Sequence, residues 1–204
     1  MLSVCWLPRS RILLSRGLAV GFVVLLLIAV EGWQLTHPVF EQGLRFIGWI
    51  LTAAGVIGRC WCGSYISGYK NDRLIMDGPY SLCRNPLYFF SFLAGLGLMF
   101  ITETLLMPGA FCVIYLTYYA QVIRAEEKYL ASLHGANFES YVQRIPRFWP
   151  SSTHYQEPDD QLVSTKHYRR HLSEAIWFII LGAGIEFIEA LHHAHVLPVY
   201  FHIY

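Results

Sequence analysis

The stretch PLYFFSFLAGLGLMFITETLLMPGAFCVIYLTYYAQVI, Pro86 to Ile123, decides the fold. It has one charged side chain, Glu103, between two apolar runs, Leu87–Ile101 and Leu105–Val122. A helix crosses a bilayer with about 20 mostly apolar residues. Thr102-Glu103-Thr104 is long enough only for a turn, so the two runs are expected to form a tight helical hairpin. Met107-Pro108-Gly109 falls early in the second run, in the first helical turn that tolerates proline.

Working outward, two apolar segments precede the hairpin, Gly17–Trp33 and Leu44–Trp61. One follows it, Ala175–Leu191, interrupted by Glu186 and Glu189. The 204 residues are 55% hydrophobic and 14% charged, with mean hydropathy +0.40. Soluble domains carry about 25% charged residues, so lipid is the expected solvent for much of this chain. The expectation is an all-α, multi-pass transmembrane protein of about five spans. A net charge of +1 supplies no basic face for nucleic acid. Arg9, Arg11 and Arg16 precede the first run as in a signal peptide, but the following AVEGWQL, residues 29–35, has no small-x-small cleavage site. That first helix is therefore expected to be retained.

The 5 cysteines are odd in number, and Cys60-Trp-Cys62 lacks the spacing and the second pair of a zinc knuckle, so they read as apolar fillers. Glu186, Glu189, His192, His193 and His195 invite a metal reading. Steps of three residues slip by about 60° each around a helix, which puts Glu186 and His195 on opposite sides. No metal site is expected. Ionisable residues within a span usually face the protein interior, so Glu186 and Glu189 stay open as functional candidates.

Lysine and arginine placement gives the topology. Basic residues occupy the N-terminus, the segment with Arg59, Lys70, Arg73 and Arg84, and the segment from Arg124 to Arg170. The connections Thr36–Glu41 and Thr102–Thr104 have none. Basic loops stay in the cytoplasm, so the N-terminus and both long polar segments are expected there and the C-terminus outside. The chain divides into two N-terminal spans (1–62), a core (63–150), and a polar linker with a last helix (151–204).

The core contains two polar blocks on one membrane face. In the first, DGPYSLCRNP, residues 77–86, Gly78-Pro79-Tyr80 has turn chemistry and Pro86 suits a first helical position. Arg84 precedes a helix N-terminus, an arrangement suited to a carboxylate or phosphate. The alternative is a basic residue contacting lipid headgroups. In the second block, Arg124–Pro150, Glu126 and Glu127 point about 100° apart on a helix and so are not a matched acid/base pair; they can hold a cation from two directions, or one can pair with Arg124 or Lys128. Leu130, Leu133 and Tyr141 give that block an amphipathic surface for the headgroup region. A zwitterion with a further positive charge, such as S-adenosylmethionine, is compatible with both blocks.

The segment LIMDGPYSLCRNPLYFFSFLAG, residues 74–95, resembles the glycine-proline-tyrosine and arginine-histidine-proline-x-tyrosine pattern of the integral-membrane methyltransferases. That superfamily contains isoprenylcysteine carboxyl methyltransferases and phospholipid N-methyltransferases. Its second block is similar to Glu126-Glu127, Leu130, Gly135, Phe138, Tyr141 and Pro146-Arg147-Phe148. The resemblance implies S-adenosylmethionine held by Tyr80, Arg84, Asn85, Pro86, Tyr88, Gly95, Glu126 and Glu127, with Glu127 and Arg147 at the reacting end. It also implies a lipophilic acceptor that enters from the bilayer. Asn85 stands where the family has histidine, so that position hydrogen-bonds without titrating. His134 stands where phenylalanine is frequent. The chain offers no obvious base, which favours an acceptor already ionised at neutral pH, such as a carboxylate. A phospholipid amine, a small thiol, an NADPH-dependent reductase and an inactive scaffold remain alternatives. Paired carboxylates suit the NADPH 2′-phosphate poorly.

Overall fold

The computed structural model describes residues 29–31, 38–67, 73–161, 163–194, 196 and 201–203. Six helices make up nearly all of it: α1 (Pro38–Ile66), the single turn α2 (Pro79–Leu82), α3 (Pro86–Ile101), α4 (Leu106–His134), α5 (Ala136–Arg144) and α6 (Thr165–His193). A 3-10 turn covers Ser152–His154, and two three-residue strands, β1 (Ala29–Glu31) and β2 (Phe201–Ile203), pair in parallel. The expected first span, Gly17–Trp33, lies outside the described residues except for β1. Helices α1, α4 and α6 are each long and apolar enough to cross a membrane, and α3 is a shorter apolar helix of 16 residues.

The architecture rests on α3, which packs most extensively on α1 and also meets α4 and α6. Small residues set the α1–α3 approach. A Cβ at Gly55 would collide with Ala94, and one at Gly97 with Thr52 and the Gly48 carbonyl. In lipid such close packing replaces the hydrophobic drive between helices. The expected hairpin is present: α3 ends at Ile101, Thr102 bonds back through its hydroxyl to the Met99 carbonyl at 2.7 Å, and α4 begins at Leu106.

The turn contains Glu103, which has a left-handed backbone (φ 55) and is only 2% exposed. A non-glycine residue there needs a compensating contact. Arg45 of α1 supplies it, ion-paired at 2.5 Å with Glu103 and at 2.5 Å with Glu189 of α6. Trp49, one turn on, donates its indole N–H to Glu186 at 2.6 Å. The two carboxylates that interrupt the last helix thus join α6 to α1, and Arg45 joins both to the hairpin turn.

Arg45→Met is expected to lower stability by about 3 kcal/mol, since it leaves buried carboxylates without their cation. Thermal unfolding in detergent measures it. Adding Glu103→Gln to that variant should recover part of the loss, and an unchanged melting temperature in Arg45→Met would refute the role given to the cluster.

Candidate active site

At the other end of α3, prolines and glycines shape the backbone. Gly78 has φ +58, and a Cβ there would also collide with the Tyr65 ring, so glycine is needed on two counts. Pro79 and Pro86 occupy first-turn positions of α2 and α3. Between the two helices, Cys83 is extended and Arg84 is directed inward. Helix α4 runs beyond its apolar part to His134, carrying Glu126 and Glu127 out of the apolar region. Gly135 (φ +51) then breaks the helix and reverses the chain into α5. Phe138, Tyr141 and Ile145 bury themselves with Leu74 and Leu130, and the Tyr141 hydroxyl donates to the Tyr80 carbonyl at 2.6 Å. These contacts fold the second block back onto the first.

The centre of this arrangement is Glu127. Its Oε1 accepts from Nε and Nη2 of Arg84, both at 2.9 Å. Its Oε2 accepts from Nε of Arg147 at 3.0 Å and Nη2 at 2.9 Å. Arg84 also donates through Nη1 to the Val142 and Ile145 carbonyls, each at 2.9 Å, and its backbone N–H meets the Pro146 carbonyl at 2.9 Å. The sequence reading sets Arg84 and the glutamates at opposite ends of a ligand. The structure joins them directly, because α5 swings Ile145–Arg147 against the entrance loop. Arg84 is 7% exposed and largely committed to protein partners, whereas Arg147 is 51% exposed.

A cavity of about 130 Å³ opens beside this clamp. Its wall includes Tyr80, Arg84, Asn85, Tyr88 and Glu126 from the expected set, together with Arg73, Tyr141 and the apolar Ile66, Leu74, Ile75, Leu87 and Leu130. Tyr88 donates its hydroxyl to Glu126 Oε2 at 2.7 Å. The neighbouring glutamates therefore differ: Glu126 lines the cavity, and Glu127 holds the two arginines behind it. Asn85 does not cap α3 with its side chain; its Nδ2 donates to the Arg147 carbonyl at 3.0 Å. Pro86 is fully buried at the head of α3. Gly95 is not in the cavity wall: a Cβ there would collide with the Phe111 ring, so it packs α3 against α4. Arg73 appears in the sequence only as one basic residue of a loop, and nothing local marks it for this position.

The Tyr80 hydroxyl is buried and has no hydrogen-bond partner among the described residues. Burial pushes this phenol well above its usual pKa, so it is a neutral donor. Burial likewise pushes the Cys83 thiol up to about 12, which keeps it protonated at neutral pH and disqualifies it as a nucleophile. The segment after Pro150, expected as a linker, crosses back over α2. The Ser151 N–H meets the Leu82 carbonyl at 2.9 Å, Gly78 N–H meets the Gln156 carbonyl at 2.7 Å, and Tyr65 donates to Glu157 at 3.2 Å.

Residues 38–137 match the family of phospholipid methyltransferases. The chain is 34% identical to the cobalt-zinc-cadmium resistance protein CzcN of Cupriavidus metallidurans, over 94% of this chain and 88% of that protein. It is 30% identical to the nickel-cobalt-cadmium resistance protein NccN of Alcaligenes xylosoxydans xylosoxydans, over 96% and 90% of the two chains. It is also 26% identical to the protein-S-isoprenylcysteine O-methyltransferase of Schizosaccharomyces pombe, over 51% of this chain and 45% of that one. No solved structure matches. The matched region contains α1, the entrance loop, α3 and all of α4, and so two of the three long apolar helices and the paired glutamates. The chain is an integral-membrane methyltransferase, belonging to the superfamily of the phospholipid and isoprenylcysteine methyltransferases.

Proposed function

We propose that the protein transfers a methyl group from S-adenosylmethionine to a lipophilic carboxylate at the cytoplasmic face of the membrane. The observation that carries this reading is the cavity in which the Glu126 carboxylate, steadied by Tyr88, and the unpartnered Tyr80 hydroxyl meet an apolar wall. This donor set fits the charged part of the cofactor: Glu126 suits its cationic centre and Arg73 its carboxylate, while at about 130 Å³ the cavity takes that part and leaves the adenosine portion at its open, apolar rim. When bound, the cofactor would supply a methyl group activated by a sulfonium.

The residues of the chain then have three tasks. Glu126 offsets positive charge, which at about 4 Å is worth a few kcal/mol at the effective dielectric of a protein surface. The clamp on Glu127 fixes Arg147 and the following Phe148-Trp149 beside the entrance. Phe89 packs edge-on against both of those rings, 5.8 and 6.1 Å between centroids, which gives a greasy acceptor an apolar approach. Proton removal is not among these tasks. The cavity wall offers phenols, guanidiniums, an amide and one carboxylate, with no imidazole or amine among the described residues. An ionised carboxylate acceptor needs no base, whereas an ammonium would. Positioning can then supply much of the acceleration.

Charge supports an orientation. Arg73, Arg84, Arg124, Lys128, Arg144 and Arg147 crowd the end that holds the cavity, as expected of an end that faces the cytoplasm. Two of the relatives are named for metal resistance. Among the described residues no group of three or more His, Cys, Asp or Glu side chains is arranged to hold a metal ion.

Calorimetry in detergent with S-adenosylhomocysteine and, separately, NADPH tests the reading: the first is expected to bind and the second not. Binding of NADPH alone would overturn it. Glu126→Gln is expected to weaken S-adenosylhomocysteine binding no more than slightly and S-adenosylmethionine binding about tenfold, because only the latter is a sulfonium. Its melting temperature should stay near that of the parent. Glu127→Gln should instead lower the melting temperature by several degrees, since it loosens a buried arginine. Equal melting of the two variants would refute the division of labour between them.

A second outcome concerns Asn85. Methyl transfer is expected to be flat between about pH 6 and 8 in the parent, because the position does not titrate. Asn85→His should introduce a fall below about pH 6.5, as a second cation forms beside Arg84 and competes with the cofactor's charge. A flat profile in that variant would show that the side chain does not sense the site.

A further inference from the structure

A second cavity, of about 370 Å³, lies on the same end of the molecule, and Arg84 lines both. Its walls are the end of α5, the Ile145-Pro146 turn and the start of the strap that crosses α2. Its polar lining is Arg84, Gln143, Arg144, Ser151, Thr153 and His154, with Ser81, whose hydroxyl donates to the Gly78 carbonyl at 2.6 Å. No carboxylate lines it among the described residues. The first cavity differs in having the Glu126 carboxylate beside its two arginines, Arg73 and Arg84.

From this lining we propose that the second cavity binds a phosphate group without a compensating cation, as in an anionic phospholipid headgroup. Guanidinium, imidazole and hydroxyl groups from three chain segments line it. Donors on several sides suit a tetrahedral group with several acceptor oxygens better than a planar carboxylate. The walls are pinned by the Ser151 N–H bond to the Leu82 carbonyl at 2.9 Å and the Arg84 N–H bond to the Pro146 carbonyl at 2.9 Å. Depth favours a lipid source. Trp149, two residues before Ser151, is 63% exposed, and exposed tryptophan at the end of a helical bundle marks the headgroup level. Arg84 contributes positive charge there more than free donors, since its Nε and Nη2 hold Glu127 and its Nη1 holds the Val142 and Ile145 carbonyls.

The proposal stands apart from the cofactor reading, because Arg144 and His154 do not line the first cavity. The test is calorimetry of the full chain in maltoside with dihexanoyl-phosphatidylglycerol, dihexanoyl-phosphatidylcholine and inorganic phosphate. Dihexanoyl-phosphatidylglycerol is expected to bind saturably, and the double variant Arg144→Gln/His154→Gln to weaken it about tenfold. S-adenosylhomocysteine binding by that variant should be unchanged, and Arg144→Lys should retain part of the lipid affinity. Phosphate binding with the same sensitivity would support the site and assign it to a soluble source. Equal affinity for dihexanoyl-phosphatidylcholine, no binding of any probe, or full affinity in the double variant would overturn it.

Discussion

The Arg84–Glu127–Arg147 clamp is the interaction on which the working end of the protein depends. It joins three segments that are distant in sequence: the entrance loop, the extension of α4, and the turn after α5. Each of Arg84's partners comes from the second block, either as the Glu127 carboxylate or as a main-chain carbonyl. Without that carboxylate, two guanidiniums would face each other across a partly buried gap. With it, Asn85 can reach the Arg147 carbonyl and α5 can lie over Tyr80. The cavity wall is a consequence of this closure, since it draws Tyr141 and Leu130 from one block and Tyr80 and Tyr88 from the other.

Much of this was legible in the sequence, for particular reasons. The hairpin follows from a three-residue polar break between apolar runs. The boundaries of α3 follow from Pro86 at one end and the Thr102-Glu103-Thr104 turn at the other. That both blocks share a membrane face follows from basic residues alone. Partners were less legible. Adjacent carboxylates on a helix diverge by about 100°, which says that Glu126 and Glu127 do different things but not which does what. The answer depends on how α5 folds back at Gly135. Glu186 and Glu189 looked like functional groups because span carboxylates usually are. Their partners, Trp49 and Arg45, lie more than a hundred residues earlier, and sequence carries no signal of that pairing. The strap after Pro150 was hidden for a related reason: it is fixed by main-chain bonds and by two polar side chains, Glu157 and Gln161, whose partners lie on α1, so its composition reads as a linker.

The two ends of the bundle solve the same electrostatic problem with opposite signs. At the hairpin end one arginine, Arg45, serves two glutamates, Glu103 and Glu189. At the entrance end one glutamate, Glu127, serves two arginines. Taken as ionised groups, the first cluster has a net charge of −1 and the second +1. In the orientation proposed above, the sign difference follows the rule that positive charge stays on the cytoplasmic side. It also separates structure from chemistry. A cationic methyl donor would be repelled by a clamp of net +1 unless another carboxylate stood in front of it. In the proposed function Glu126, held by Tyr88 at the cavity wall, is that carboxylate. On that reading the adjacent glutamates divide the work: the inner one satisfies the arginines that build the site, and the outer one faces the ligand.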